Sequence, residues 1–275
     1  MGDKKRFAIL LLFPCVVFIT LFLVIPTFAT LLSTLFGTGN FSLGEYVSTI
    51  QDSFFQQVFW RSIRLSLITV AICLVLGFPA AYFISKIARK KSIFIAMTLF
   101  PLMTSPVVRS FSWMAILGKR GMLNGIIKAL GVAQNPPTML YTETAIVIGL
   151  CQLFLPLMIM STVGVMENID DDLVLASDSL GSSPASSFWR IVFPLSVPGL
   201  ISGSVLVFCG SITAYTTPQL LGGSDTRMLA TLVYQDALSL SDWQAASIVA
   251  VVMILISVVV TQLMNYFARK LNPAV

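Results

Sequence analysis

The chain has 275 residues, of which 56% are hydrophobic and 11% charged, with a mean hydropathy of +0.90 and a formal net charge of +5. This composition excludes an ordinary water-soluble domain, and the absence of histidine excludes histidine-based catalysis and most transition-metal sites. The basic residues are dispersed over segment ends and form no face dense enough to follow a phosphate backbone, so no nucleic-acid partner is expected.

The first apolar run follows Lys4, Lys5 and Arg6 and extends from Phe7 toward Leu35. It is too long for the core of a secretory signal and reads as an uncleaved first span. Cys15 follows Phe13 and Pro14, not the small residues that precede a lipoprotein cysteine, and Arg6 stands where myristoylation needs Ser or Thr. A hydrocarbon core takes roughly 20 apolar residues per helix. Six blocks meet that length, at 8–35, 62–86, 93–117, 143–166, 188–218 and 243–268. The expected fold class is therefore all-α, a polytopic membrane protein with six transmembrane helices in a single domain over 1–275. Cys15, Cys73, Cys151 and Cys209 each stand alone in an apolar block, so no disulfide framework is expected.

Between the first two spans, the stretch 36–61 starts polar and then turns amphipathic at Tyr46, Ile50, Phe54, Phe55 and Phe59, which predicts a helix lying at the outer interface. Lys86, Arg89, Lys90 and Lys91 crowd the next connection, and Arg269 and Lys270 follow the last span. With the basic start, they place both termini in the cytoplasm. Arg61, Arg64, Lys119, Arg120, Lys128 and Arg227 fall on the other side and make the bias moderate. Prolines recur at 14, 26, 79, 101, 106, 156, 194 and 198; Pro101 and Pro106 bracket a stretch that could break and line a pathway. Gly199, Ser202, Gly203 and Ser204 would let the fifth span approach a neighbour closely.

The connection from Glu167 to Pro194 reads as helix, turn and helix. Asp170, Asp171 and Asp172 suit a helix N-terminus, and Leu173, Ala176 and Leu180 follow at i, i+3 and i+7 as one apolar stripe. Gly181 suits a helix C-terminus, Ser183 an N-cap and Pro184 the first turn of a helix that continues into the fifth span. An amphipathic helix tied to a span in this way can pass force into the membrane, or can simply lie at the interface.

These residues resemble the membrane subunits of bacterial ABC importers. That family carries Glu-Ala-Ala, three residues, Gly, nine residues and Ile-x-Leu-Pro. Here the spacing is met by Leu175-Ala176-Ser177, Gly181 and Ile191-Val192-Phe193-Pro194, with Ala176, Gly181, Ile191 and Pro194 kept. Leu175, Ser177 and Phe193 depart from the pattern, and Asp178 or the aspartate run could supply the missing carboxylate. The segment Leu76-Gly77-Phe78-Pro79-Ala80-Ala81-Tyr82 resembles the polyamine-importer group, as do Gly121-Met122-Leu123-Asn124 and the run Thr217 to Gly223.

The resemblance implies a type I importer permease of the bacterial inner membrane. Its coupling helix (Leu175, Ala176, Ser177, Asp178, Leu180, Gly181, Ile191, Pro194) would sit on one of two cytoplasmic ATPases. It also implies a second permease subunit, an external binding protein and, as solute, spermidine, putrescine or a related polyamine, with another amine, a phosphonate or iron as the alternative. The chain has no phosphate-loop pattern, so it binds no cofactor of its own in this reading, and ATP and magnesium belong to the partner ATPase. Candidate pathway residues are Arg109, Phe111, Trp113 and Tyr215, with Arg109 equally able to snorkel outward or pair with a neighbouring subunit. All twelve carboxylates are expected outside the apolar cores. That disfavours an ion-coupled carrier or an intramembrane enzyme and leaves a cationic solute to be neutralised by another subunit.

Overall fold

A computed structural model describes residues 12–36, 44–131 and 137–271. Lys4, Lys5, Arg6, the stretch 37–43 and the last four residues lie outside that set. Among the described residues the regular elements are all helices. In chain order they are α1 (Leu12–Leu32), α2 (Gly44–Gln51), α3 (Ser53–Ile87), α4 (Lys91–Met103), α5 (Pro106–Leu117), α6 (Met122–Ala129), α7 (Glu143–Met166), α8 (Asp171–Ser179), α9 (Pro184–Thr213), α10 (Thr216–Leu221), α11 (Leu229–Tyr234) and α12 (Trp243–Leu271).

Five of these helices, α1, α3, α7, α9 and α12, are long and apolar enough to cross a membrane. The expected third span is split into α4 and the helices from Pro106 to Ala129, which meet at 91°. The break has a local cause. Pro101 sits in a 3-10 turn that closes α4, and Pro106 opens α5 at a position where its missing N–H costs nothing.

Polar contacts at the two ends fix the topology. Glu143, which opens α7, meets Arg61 Nε at 3.2 Å and Arg64 Nη2 at 2.5 Å, both from α3. At the opposite end Lys86 Nζ lies 2.5 Å from Asp171 Oδ1, and Lys91 Nζ lies 3.6 Å from Glu167 Oε1. So α3 and α7 run the same way. The chain leaves the Asp171 end at Lys91 and is back at the Glu143 end by Tyr141, and the broken pair therefore crosses once. Helix α9 returns toward the Glu143 end, where Arg227 O accepts from Arg61 Nη1. Helix α12 starts at that end, where Gln244 donates to Glu45. The six crossings leave Leu12 and Leu271 at the Asp171 end.

The centre of the bundle is α3, α7 and α9. Met158 of α7 lies between two glycines, so that a Cβ at Gly77 or at Gly203 would fall 2.7 Å from its side chain. Gly199 and Gly203 thus give the close approach expected of the fifth span. Ser202 does not take part: it is exposed and returns its hydroxyl to Pro198 O. Helix α1 lies at the periphery with its apolar side chains outward, as lipid requires.

Two further expectations are corrected. The second span starts at Ser53, because Asp52 Oδ2 accepts from Phe55 N at 3.0 Å and caps a helix there. Phe54, Phe55 and Phe59 therefore belong to α3 and not to a separate interfacial helix, and Phe55 is 4% exposed. Cys15, Cys73, Cys151 and Cys209 are free thiols.

Candidate functional site

The 167–194 connection forms the helix, turn and helix read from its sequence. Asp170 Oδ1 accepts from Asp172 N at 3.0 Å and starts α8. The helix closes on Gly181, whose φ is +82°, with Ser182 N donating back to Ser177 O at 3.2 Å. A Cβ at Gly181 would meet nothing within 4 Å, so glycine is required for the left-handed backbone and not for space. Ser183 Oγ then accepts from Ser186 N and caps α9.

The two helices are clasped by three polar side chains. The hydroxyl of Ser187, 2% exposed, lies 2.9 Å from Ser177 Oγ and 3.2 Å from Asp178 Oδ1. Ser177, which departs from the family pattern, is thus part of this clasp. Val174 and Ile169 rest on the bundle. Leu173, Ala176 and Leu180 face outward, as does Leu175, and Leu180 is 87% exposed. The stripe read from the sequence is therefore a face of α8 with no partner among the described residues. Lys86 fastens the segment to α3 by donating to Ile169 O at 2.9 Å and to Asp171, whose carboxyl is held below the usual range by that hydrogen bond and by the lysine charge.

An aromatic cluster carries the connection inward. Phe188 packs on Tyr82 at 5.0 Å and on Phe78 at 5.8 Å, and Phe193 meets Phe78 edge-on at 5.5 Å. Ile191 is half-buried and Pro194 exposed. The turns Phe83–Ile87 and Phe188–Val192 on either side of the segment are both π-helical, a widened form common at functional sites.

Toward the Glu143 end, three candidate pathway residues share α5, and Tyr215 directly precedes α10, which packs on α5. Arg109 is 8% exposed. Its Nη1 donates to Pro101 O at 2.5 Å, across the bend between α4 and α5. The bond gives the buried guanidinium a partner within the bend. Trp113 Nε1 donates to Gln152 Oε1 of α7 at 2.8 Å, while Phe111 is exposed on α5. Tyr215 stacks on Tyr234 with ring centroids 4.3 Å apart. Both tyrosines line an open apolar groove of about 1030 Å³ between α9 and α12, with Leu206, Trp243, Met253 and Ile254.

Sequence reasoning missed Gln152 and Tyr234, whose roles depend on partners far away in the chain. It also missed Asp236, which is 9% exposed and lies in the π-helical turn Gln235–Ser239. Burial, and then the charge of Asp242, push its carboxyl above the usual range, with Arg227 opposing.

Residues 92–273 match the family described as binding-protein-dependent transport system inner membrane component. The chain is a permease subunit of that family, an ABC importer component. It is 30% identical to the spermidine/putrescine transport system permease protein PotB of Haemophilus influenzae, over 75% of this chain and 73% of that one. PotB of Escherichia coli is also 30% identical, over 74% of each chain. A putative ferric transport system permease protein, FbpB 1 of Haemophilus influenzae, is 26% identical over 94% of this permease but only 41% of its own length. Among solved structures, a bacterial alginate ABC transporter in complex with a pentasaccharide-bound periplasmic protein shares the fold at TM-score 0.81 and 14% identity, over 98% of this permease and 96% of that chain.

Proposed function

We propose that this permease imports spermidine, putrescine or a related polyamine, delivered by an external binding protein and driven by ATP hydrolysis on two cytoplasmic ATPases. In this reading the Asp171 end faces the cytoplasm and the Glu143 end faces outward. The observation that carries it is α8, whose apolar face has no partner among the described residues and whose opposite face is clasped through Ser187 to the first turn of α9. A partner seated on Leu173, Ala176 and Leu180 would move α9 with it. The aromatic packing of Phe188 and Phe193 on Phe78 would carry that motion to α3. A second permease subunit completes the pathway along the groove beside Tyr215 and Tyr234. ATP and magnesium act on the ATPases, and this chain supplies the moving wall.

The polyamine assignment is supported by the two PotB relatives, which match three quarters of the chain at higher identity than the ferric relative. The test is uptake by proteoliposomes that hold the permease with its ATPase, second permease and binding protein. Labelled spermidine or putrescine should accumulate only with ATP and binding protein. Accumulation of ferric iron with no polyamine uptake would overturn the assignment, and uptake driven by an ion gradient without ATP would overturn the mechanism.

A further inference from the structure

A second, smaller cavity of about 430 Å³ opens at the Glu143 end. It lies between α2, the capped start of α3, the turn that holds Asp236 and the beginning of α12, and its lining includes Ser48, Thr49, Asp52, Phe55, Gln235 and Asp236. The two carboxylates differ in what they already do. Asp52 uses Oδ2 to cap α3. Asp236 is 9% exposed, and its side chain has no hydrogen-bond or ion-pair partner among the described residues. Arg227, the opposing cation, is drawn over the ring of Phe54 at 5.9 Å from the centroid and makes no ion pair with Asp236.

A carboxylate at the wall of an open cavity, with no partner among the described residues, keeps its acceptor oxygens for a cation that enters. The lining decides what that is. Calcium or magnesium needs six or more oxygen ligands, and no three acidic, cysteine or histidine side chains converge among the described residues. The cavity joins its carboxylates to Phe55, Leu232 and Val249. Such a wall suits an ammonium group on a short alkyl chain, with the charge on the carboxylates and the methylenes against the rings and aliphatic side chains.

We propose that this cavity binds the ammonium end of an alkylamine, with Asp236 as the principal counter-charge and Asp52 as the second. Its place as an entry station for the transported solute rests on the orientation and polyamine reading given above, whereas the binding itself does not.

The test is calorimetric titration of spermidine and of putrescine into the full-length permease in nanodiscs, with Asp236→Asn and Asp236→Glu alongside. Saturable binding is expected, weakened about tenfold or more in Asp236→Asn by loss of the charge-assisted pairing and largely kept in Asp236→Glu. Magnesium and the uncharged analogue 1,4-butanediol should not compete. Thermal melting separates this from misfolding, because Asn removes a buried charge and should leave Tm unchanged or raised. Equal affinity in wild type and Asp236→Asn would overturn the site, as would absence of saturable amine binding in the wild type. The polyamine reading fails separately: if the wild-type permease binds putrescine but the assembled transporter imports none, that reading falls and the site stands. Polyamine uptake that is indifferent to Asp236→Asn, with equal binding, removes the site and leaves the reading.

Discussion

At the scale of single residues, Ser187 and Gly181 hold the 167–194 segment in shape by different means. Ser187 reaches Ser177 and Asp178 together, so Ser187→Ala leaves both without that hydroxyl. The expected loss is about 1 kcal/mol of local stability, read as faster hydrogen exchange over 171–187 and as ATPase activity that depends less on the loaded binding protein. Unchanged exchange would show that the clasp contributes nothing. At Gly181 the φ of +82° sets the order of substitutions: Gly181→Asn should be tolerated better than Gly181→Val, because a left-handed residue other than glycine costs roughly 1–2 kcal/mol and Asn pays least. Coupled uptake of the two variants checks this. The pairing of Asp171 with Lys86 has a defined pH sign. A depressed carboxyl contributes stability above the ordinary aspartate range and loses it as pH falls through the lower folded value. Hydrogen-exchange protection of 169–173 should therefore be flat from neutral pH to about 5, and Lys86→Met should lower it throughout. The caps at Asp170, Gly181 and Ser183 were legible because each is a local rule of backbone chemistry. Asp236 was not, since its burial comes from elements almost two hundred residues apart.

Among the elements, the broken span from Lys91 to Ala129 shows how far local signals reach. Pro101 and Pro106 mark the break in the sequence, but its angle and the use of Arg109 to satisfy Pro101 O depend on the folded chain. Arg109→Met should remove a charge-assisted bond and leave a carbonyl with Thr104 as its remaining side-chain donor. The expected cost is about 1–3 kcal/mol, seen as a lower Tm in detergent. Arg109→Lys should recover part of it, and a Tm unaffected by either change would remove the arginine's role in the bend. The span Glu143–Met166 begins and ends as its sequence predicts, because Thr142 caps it and the connection after it turns polar. The span before it was misjudged at its start. The pattern of Phe54, Phe55 and Phe59 fits an interfacial helix and a buried first turn equally well, and Asp52 decides between them.

For the molecule as a whole, composition and apolar block length revealed the membrane class, and the even number of blocks, which puts the first and last spans' outer ends on one side, agrees with the pairing of ends. Arg61 and Arg64 weaken the charge bias without contradicting it, because Glu143 holds both. The outward face of α8 was less legible: periodicity found the stripe Leu173, Ala176 and Leu180, and only the packing of Val174 and Ile169 on the bundle shows that the stripe points away from it. The account stands or falls on that face. The most direct measurement is ATP-driven uptake by the reconstituted transporter with Leu180→Asp, a change at a side chain 87% exposed that should leave the Tm of the isolated permease unaltered. The account predicts uptake reduced at least about tenfold, as expected when a buried apolar anchor at an interface becomes charged, with weaker retention of the ATPase by the permease. Uptake at the wild-type rate with the ATPase fully retained would contradict it.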